Sequence, residues 1–325
     1  MIREIHYEPA TFGRDWEAIL ERVRAQRETW AGAFEEHPAL LFKGFPIADA
    51  KAFAAFAQAL TGQVSRYLAG QTDRTEVTAL VYEATKIPSV FPIALHAEMA
   101  YSKIFPSHLL FFSEQRRCVG GASWLADNAA IWEGLPAPLR EKLEHEGILY
   151  RRLLPPLGAP VLKWFRAVRS GALKSWQESL EVAGREQAES ALASRTIPFT
   201  WTRDGWLDLS SRLPAFREVA GRKVWFNQCH TMQVNQSFHG RFVTTLHRLA
   251  LRQLGRNPFG AAFGDGSPFS DDDFRAIRRA HDGARRERAL QRSEVLFFDN
   301  LRLSHGRGAY LGTRTVRVAF CGLPG

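Results

Sequence analysis

Leu95-His96-Ala97-Glu98-Met99-Ala100-Tyr101, entered through the apolar run Phe91-Pro92-Ile93-Ala94-Leu95, is the stretch on which the reading of this chain turns. Side chains alternate along a β-strand, so His96 and Glu98, two apart, share one face of a strand. An imidazole and a carboxylate side by side at the edge of a core are two of the three donors of a 2-His-1-carboxylate set for non-haem iron(II). The third donor must then come from elsewhere. His305, in Phe297-Phe298-Asp299-Asn300-Leu301-Arg302-Leu303-Ser304-His305-Gly306-Arg307, is placed for it. A His-x-Glu pair alone is more often a salt bridge or a core histidine, so the rest of the chain has to decide.

The chain has 325 residues, 45% hydrophobic and 12% aromatic, enough for a large core. No apolar run reaches the roughly 18 residues of a membrane span, and Met1-Ile2-Arg3-Glu4-Ile5-His6 has no apolar signal region. Cys118, Cys229 and Cys321 show no C-x-x-C spacing. They read as reduced thiols of a cytoplasmic protein rather than a disulfide frame or zinc site. The net charge of +9 admits nucleic acid or an acidic protein as partner. The densest basic run, Arg275 to Arg292, is broken by Asp282 and Glu287 and lacks interleaved aromatics. It reads as a solvated helix face, which disfavours nucleic acid.

Hydrophobic periodicity places helices at Asp15–Glu36 and Ala50–Leu60, with Gly62 as a stop. Strand patterns lie at Leu40–Phe45, Val77–Tyr82, around His96, at His108–Ser113, Gly120–Asp127, Val295–Phe298 and Thr315–Phe320. From Asn128 to about Arg195 the pattern turns helical, and Phe199–Thr202 and Val224–Gln228 return to strand character before helical spacing resumes in the rest of an insert that runs to about 295. Within it Ser237–Leu254 spaces Phe238, Phe242, Leu246, Leu249 and Leu254 for one face. Strands at both ends and helices between do not fit the regular alternation of a parallel sheet. They fit one domain, 1–325, mainly β with helices: a β-sandwich whose end strands meet, carrying a long helical insert at about 128–295. That arrangement lets His96 and His305 converge.

An iron(II) oxygenase that consumes 2-oxoglutarate also needs a cation for the cosubstrate's far carboxylate, and the planar fork of Arg suits it best. Arg314 follows His305 across the turn-like Gly308-Ala309-Tyr310-Leu311-Gly312, so a returning hairpin brings it toward the metal. Arg317 is a rival; three residues on, it faces the other way on a regular strand.

These pieces resemble the TauD/TfdA family of Fe(II)/2-oxoglutarate-dependent dioxygenases, and look closest to its SyrP-like branch in nonribosomal peptide pathways. The matching segments are Leu95–Tyr101, Gly120-Gly121-Ala122-Ser123 with Ala126-Asp127, Trp225–His230, Phe263–Ser267, and Asp299-Asn300 through His305-Gly306-Arg307 to Arg314. They run in family order over about two thirds of the chain. The resemblance implies a double-stranded β-helix (jelly-roll) core and His96, Glu98 and His305 as iron ligands. It implies Arg314 on the distal carboxylate of 2-oxoglutarate, with O2 as co-reactant. It also implies a hydroxyl on that carboxylate, from Ser123 where the family has Thr. Glu98 fills a position that is small in related halogenases, which favours hydroxylation.

Tyr101, Gln228, His230, Arg317 and Arg74 are candidate substrate contacts, Arg74 as an anion anchor. The implied substrate is an amino acid or related small carboxylate, free or on an acidic peptidyl carrier protein that the basic chain would suit. Desaturation or cyclisation on the same iron chemistry, and a non-catalytic basic binding protein on the same scaffold, are the alternatives.

Overall fold

The computed structural model describes residues 2–67, 74–163, 174–194, 196–254 and 258–322. A seven-stranded sheet runs, in spatial order, Ile2–His6, Ala39–Lys43, Val295–Asp299, His108–Gly120, Tyr310–Cys321, Val81–Glu83 and Glu76–Thr78. A four-stranded sheet runs Arg285–Arg288, Ser123–Asp127, Leu303–Arg307 and Ile93–His96. Apart from the parallel edge pair Ile2–His6 with Ala39–Lys43, the pairings in both are antiparallel. The two sheets pack face to face as the expected jelly roll.

Period-two alternation explains the layering. Leu41, Leu109, Phe111, Phe298, Val318 and Phe320 enter a core shared with Leu95, Leu125 and Leu303 of the smaller sheet. Their neighbours Leu40, Phe42, Leu110, Phe112, Phe297 and Ala319 enter a second core on the opposite face. There Ile19, Val23, Trp30, Phe53 and Phe56 from the N-terminal helices cover them. The large sheet is therefore buried on both faces, which is why its strands read as continuous apolar runs.

The helix Ala50–Thr61 starts and stops as expected: the Asp49 carboxylate accepts from the Ala52 N–H at 2.8 Å, and Gly62 caps the end in the left-handed region, φ 75°. The expected helix over 15–36 is two, Trp16–Ala25 and Arg27–Glu36, broken at Gln26.

Three expectations for the middle of the chain are corrected. The helical pattern read over 128–195 is interrupted by a strand, because Ile148–Leu154 pairs with Ser211–Leu213, Leu207–Asp208 and Phe259–Phe263, while the strand character read at 199–202 and 224–228 is found in Thr200–Trp201 and Arg222–Trp225. The basic run is half helix and half sheet. Asp271–Ala284 is helical and Arg285–Arg288 is the edge strand against Ser123–Asp127. Its charges pair locally, Arg278 with Asp282 at 3.0 Å and Arg285 with Asp282 at 3.2 Å. Finally, the apolar stripe of the Gln236–Leu254 helix turns inward only at its start: Phe238 packs against the core, whereas Phe242, Leu246 and Leu249 are exposed. Gly240, non-helical at φ 77°, kinks this helix.

One close approach ties the insert together. A Cβ on Gly264 would lie 1.8 Å from the Glu146 carbonyl oxygen, and the Gly264 N–H donates to Gly147 O at 3.1 Å. Backbone cannot yield there as a flexible side chain would. Gly264→Ala is expected to lower unfolding free energy by about 3 kcal/mol or more, read as a drop in the urea midpoint.

Candidate metal centre

The Leu303–Arg307 strand lies between Ser123–Asp127 and Ile93–His96 in the small sheet. In its antiparallel pairing with Ile93–His96, His305 is the register partner of His96. Directly opposed residues share a face, and the two imidazole centroids are 4.3 Å apart. The bulge between His305 and Arg307 follows immediately. Phe111 and Phe298 of the facing sheet wall the His305 ring at 5.1 and 5.4 Å.

Glu98 arrives by another route than expected. The strand ends at His96, and Glu98 stands in the following turn. Asn300 holds it there. The Asn300 side-chain oxygen accepts from the Glu98 N–H at 2.7 Å, while its amide nitrogen donates to Glu98 O at 3.0 Å and Pro106 O at 2.8 Å. Asn300 is fully buried, so all three bonds are made away from water. The carboxylate then reaches the imidazoles: Glu98 Oε2 is 3.8 Å from His305 Nε2. One ligand atom each from His96, Glu98 and His305 lies within 4.8 Å of the others, a set that could hold a metal ion.

The donor chemistry fits a metal. Burial lowers the pKa of His96, and that of His305 further, with the neighbouring imidazole adding to the shift at His305. Both are therefore neutral near pH 7, the form that ligates. His96 Nδ1 is bonded to Ala94 O at 2.9 Å, which fixes that ring's orientation. His305 Nδ1 is buried with no hydrogen-bond partner.

The sequence-predicted Arg314 and Ser123 come together. The Arg314 Nη2 donates to the Ser123 hydroxyl at 3.0 Å. Ser123 and Leu125 share a strand face, and they are the register partners of Arg307 and His305. Ser123 thus lies two residues along its strand from the register partner of His305. Burial, then Arg307, pushes the Arg314 pKa down to about 10, so the guanidinium stays charged at neutral pH. Among the described residues no carboxylate pairs with it. Arg307 is occupied elsewhere, donating to the carbonyls of Pro88 at 3.1 Å and Phe91 at 2.7 Å. It straps the loop before His96 to the strand of His305.

Four of the candidate substrate contacts are placed differently from expectation. Arg317 faces away, with Glu114 at 2.6 Å, and shares a strand face with Ala319 in the outer core. Gln228 donates through Nε2 to Ala97 O, and His230 Nε2 contacts Leu95 O at 2.8 Å. Both clamp the backbone of the His96 strand from behind, as fully enclosed side chains after a strand commonly do. Arg74 does anchor an anion, but that anion is Glu98: Arg74 Nη2 lies 2.9 Å from Glu98 Oε2, both side chains buried. Burial works against the Arg74 charge, yet Glu98 and Tyr67 outweigh it and raise its pKa. Tyr101 is buried beside this pair.

Removing one partner of a buried ion pair leaves an uncompensated charge and costs about 3–5 kcal/mol. Arg74→Met is therefore expected to destabilise the metal-free protein by about that much. A bound divalent cation would take over the neutralisation of Glu98. Manganese(II) should then raise the melting midpoint of Arg74→Met more than that of the unaltered protein.

Comparison with known proteins decides the lineage. The profile of the taurine catabolism dioxygenase TauD, TfdA family matches residues 6–320. The chain belongs to the TauD/TfdA family. It is an Fe(II)/2-oxoglutarate-dependent dioxygenase. Among its relatives, the dapdiamide synthesis protein DdaC of Enterobacter agglomerans is 28% identical over 288 residues, 87% of this chain and 82% of that one. A clavaminate synthase-like protein of Arabidopsis thaliana is 26% identical over 312 residues, 93% and 87% of the two chains. The solved structure of an asparagine oxygenase in complex with Fe(II), 2S,3S-3-hydroxyasparagine and succinate superposes with a TM-score of 0.55. That alignment spans 98% of this chain and 93% of that one at 11% identity, and shows the shared fold. Among the described residues no helix is long and apolar enough to cross a membrane.

Proposed function

We propose that this TauD/TfdA dioxygenase hydroxylates an unactivated C–H bond of an amino acid or related small carboxylate in a specialised-metabolite pathway. His96, Glu98 and His305 hold the iron, and Arg314 with Ser123 receives the distal carboxylate of 2-oxoglutarate. The observation that carries this reading is the convergence of the three donors within 4.8 Å, with Ser123, on the strand beside that of His305, holding Arg314 from the facing sheet. When bound, iron(II) with 2-oxoglutarate and O2 supplies the oxidising power for the C–H bond.

The chain's own residues do the rest. Arg314 and Ser123 orient a short diacid so that its keto acid end points at the metal. Arg74 and Asn300 fix the charge and position of Glu98. Phe111 and Phe298 keep water from one side of His305. The pathway assignment is supported by DdaC, named for dapdiamide synthesis, and the substrate class by the hydroxylated amino acid in the asparagine oxygenase complex. Residues 1–325 act as one oxygenase domain, in keeping with the family match over 6–320. Cys118, Cys229 and Cys321 are unpaired, which suits a reducing cytoplasm. An acidic peptidyl carrier protein is the proposed delivery partner, supported by the net charge of +9.

The test is oxygen consumption and succinate formation with iron(II), 2-oxoglutarate and a panel of amino acids, free and carrier-loaded, with products read by mass. A gain of one oxygen atom supports hydroxylation; loss of two hydrogens would instead indicate desaturation or ring formation. Equal turnover of free and loaded substrate would remove the carrier.

A further inference from the structure

The Ile148–Leu154 strand turns Ile148, Tyr150, Arg152 and Leu154 inward. Three of these are aliphatic or aromatic. The fourth is an arginine only 7% exposed. Its Nε has no hydrogen-bond partner. Among the described residues none accepts a hydrogen bond from its guanidinium and no carboxylate pairs with it. Its Cζ stands 5.1 Å from the Tyr101 ring centroid. An arginine buried without a counter-ion is costly and rare unless a ligand completes it.

Its position relates it to the metal centre. Tyr101 lies three residues beyond Glu98. As Arg152 stands over the Tyr101 ring, Arg74 stands over the ring of Tyr67, with its Cζ 5.0 Å from the centroid. The Tyr67 hydroxyl reaches Glu98 Oε1 at 3.5 Å. Two guanidiniums thus flank one pair of tyrosines beside one carboxylate. Glu98 satisfies Arg74, and Arg314 stands apart with Ser123. Arg152 is the buried positive charge this pocket leaves unmatched.

We propose that Arg152 binds a carboxylate of the primary substrate, holding the molecule across Tyr101 with its reacting carbon toward His96, Glu98 and His305. The proposal rests on the oxygenase reading above and narrows its substrates to those that keep a free carboxylate. That group is either the α-carboxylate of a free amino acid or a side-chain carboxylate of a thioester-bound one. Burial works against the Arg152 charge and lowers its pKa, a cost that a bound carboxylate would offset.

The experiment uses the full chain with iron(II) and 2-oxoglutarate under argon. The charge-transfer band of that complex is titrated with the twenty L-amino acids, their C-terminal amides, and the N-acetylcysteamine thioesters of aspartate and asparagine. Calorimetry repeats the titrations without metal, so Arg152 is judged even if the band fails to form; a missing band would count against the iron reading alone. Free acids that bind while their amides do not identify the α-carboxylate as the anchored group. An aspartyl but not an asparaginyl thioester identifies the side chain.

Arg152→Met should raise KM for the bound acid about 100-fold, leave KM for 2-oxoglutarate unchanged, and melt at or above the temperature of the unaltered protein. Arg152→Lys should recover part of the affinity. The proposal is overturned if acid and amide bind alike, if no carboxylate on the panel binds, or if Arg152→Met keeps the preference for acid. A lower melting midpoint with an unchanged acid-to-amide ratio would mark a purely structural arginine, and overturns it as well.

Discussion

His305→Ala is expected to abolish turnover. Even residues that merely orient a metal ligand cost about 10- to 100-fold in metal affinity when lost, so removing a ligand should cost more than about 100-fold. Turnover then follows metal occupancy to background. The loss is local, because His305 contributes an imidazole wedged between Phe111 and Phe298 rather than a hydrogen bond that holds the sheet. The readout is stabilisation by metal. At a hundred times Kd, manganese(II) should stabilise the unaltered protein by about 2.7 kcal/mol. The variant should keep its fold and show no shift. A variant that still takes up one equivalent of metal tightly would remove His305 from the centre, and with it the reading of the whole site.

Arg314→Gln is the second large effect. Deleting the charged partner of a buried carboxylate costs about 2–5 kcal/mol, so KM for 2-oxoglutarate should rise by about 100-fold or more. Metal binding, made by other residues, should be unchanged. Arg314→Lys keeps the charge and loses the fork, and should fall between. Ser123→Ala removes one neutral hydrogen bond and should cost about 1 kcal/mol, a factor of about five. Metal affinity and cosubstrate affinity should therefore separate cleanly between the Arg314 and Ser123 variants on one side and His305→Ala on the other. An Arg317→Gln variant with the larger cosubstrate defect would reverse the assignment.

The pieces that could be read in the residues alone were those whose spacing carries geometry. His96 and His305 stand in strands, and apolar runs such as Phe297-Phe298 announce strands directly. Arg314 and Arg317 were separable in advance because three residues reverse the face of a strand. The structure agrees: Arg317 lies on the outer face and Arg314 on the inner one.

What stayed hidden depended on partners far along the chain. Glu98 was read onto the strand of His96, whereas the clamp that turns it inward is Asn300, 202 residues away. Nothing local to Glu98 announces that bond. Gln228 and His230 looked like pocket residues because they are polar in an aromatic setting. Their partners are the carbonyls of Ala97 and Leu95, and a backbone acceptor leaves no mark in sequence. Arg74 was recognised as an anion anchor, but its anion belongs to the protein.

The middle of the chain was misjudged for a different reason. Ile148–Leu154 alternates inward and outward positions, a strand signature, but the arginine at an inward position breaks the apolar pattern. That break hid the strand, and it is also the feature that singles out Arg152.

The small sheet carries a consequence for how this protein is made. Leu303–Arg307 is synthesised after both of its neighbours, Ser123–Asp127 and Ile93–His96, whose last residues precede Leu303 by 176 and 207 positions, yet it must insert between them. Until it arrives, Ser123–Asp127 and Ile93–His96 have an open seam between them, and the nascent chain holds only two of the three donors, His96 and Glu98. Assembly of the three-donor set therefore waits on this long-range closure, which makes that step slow.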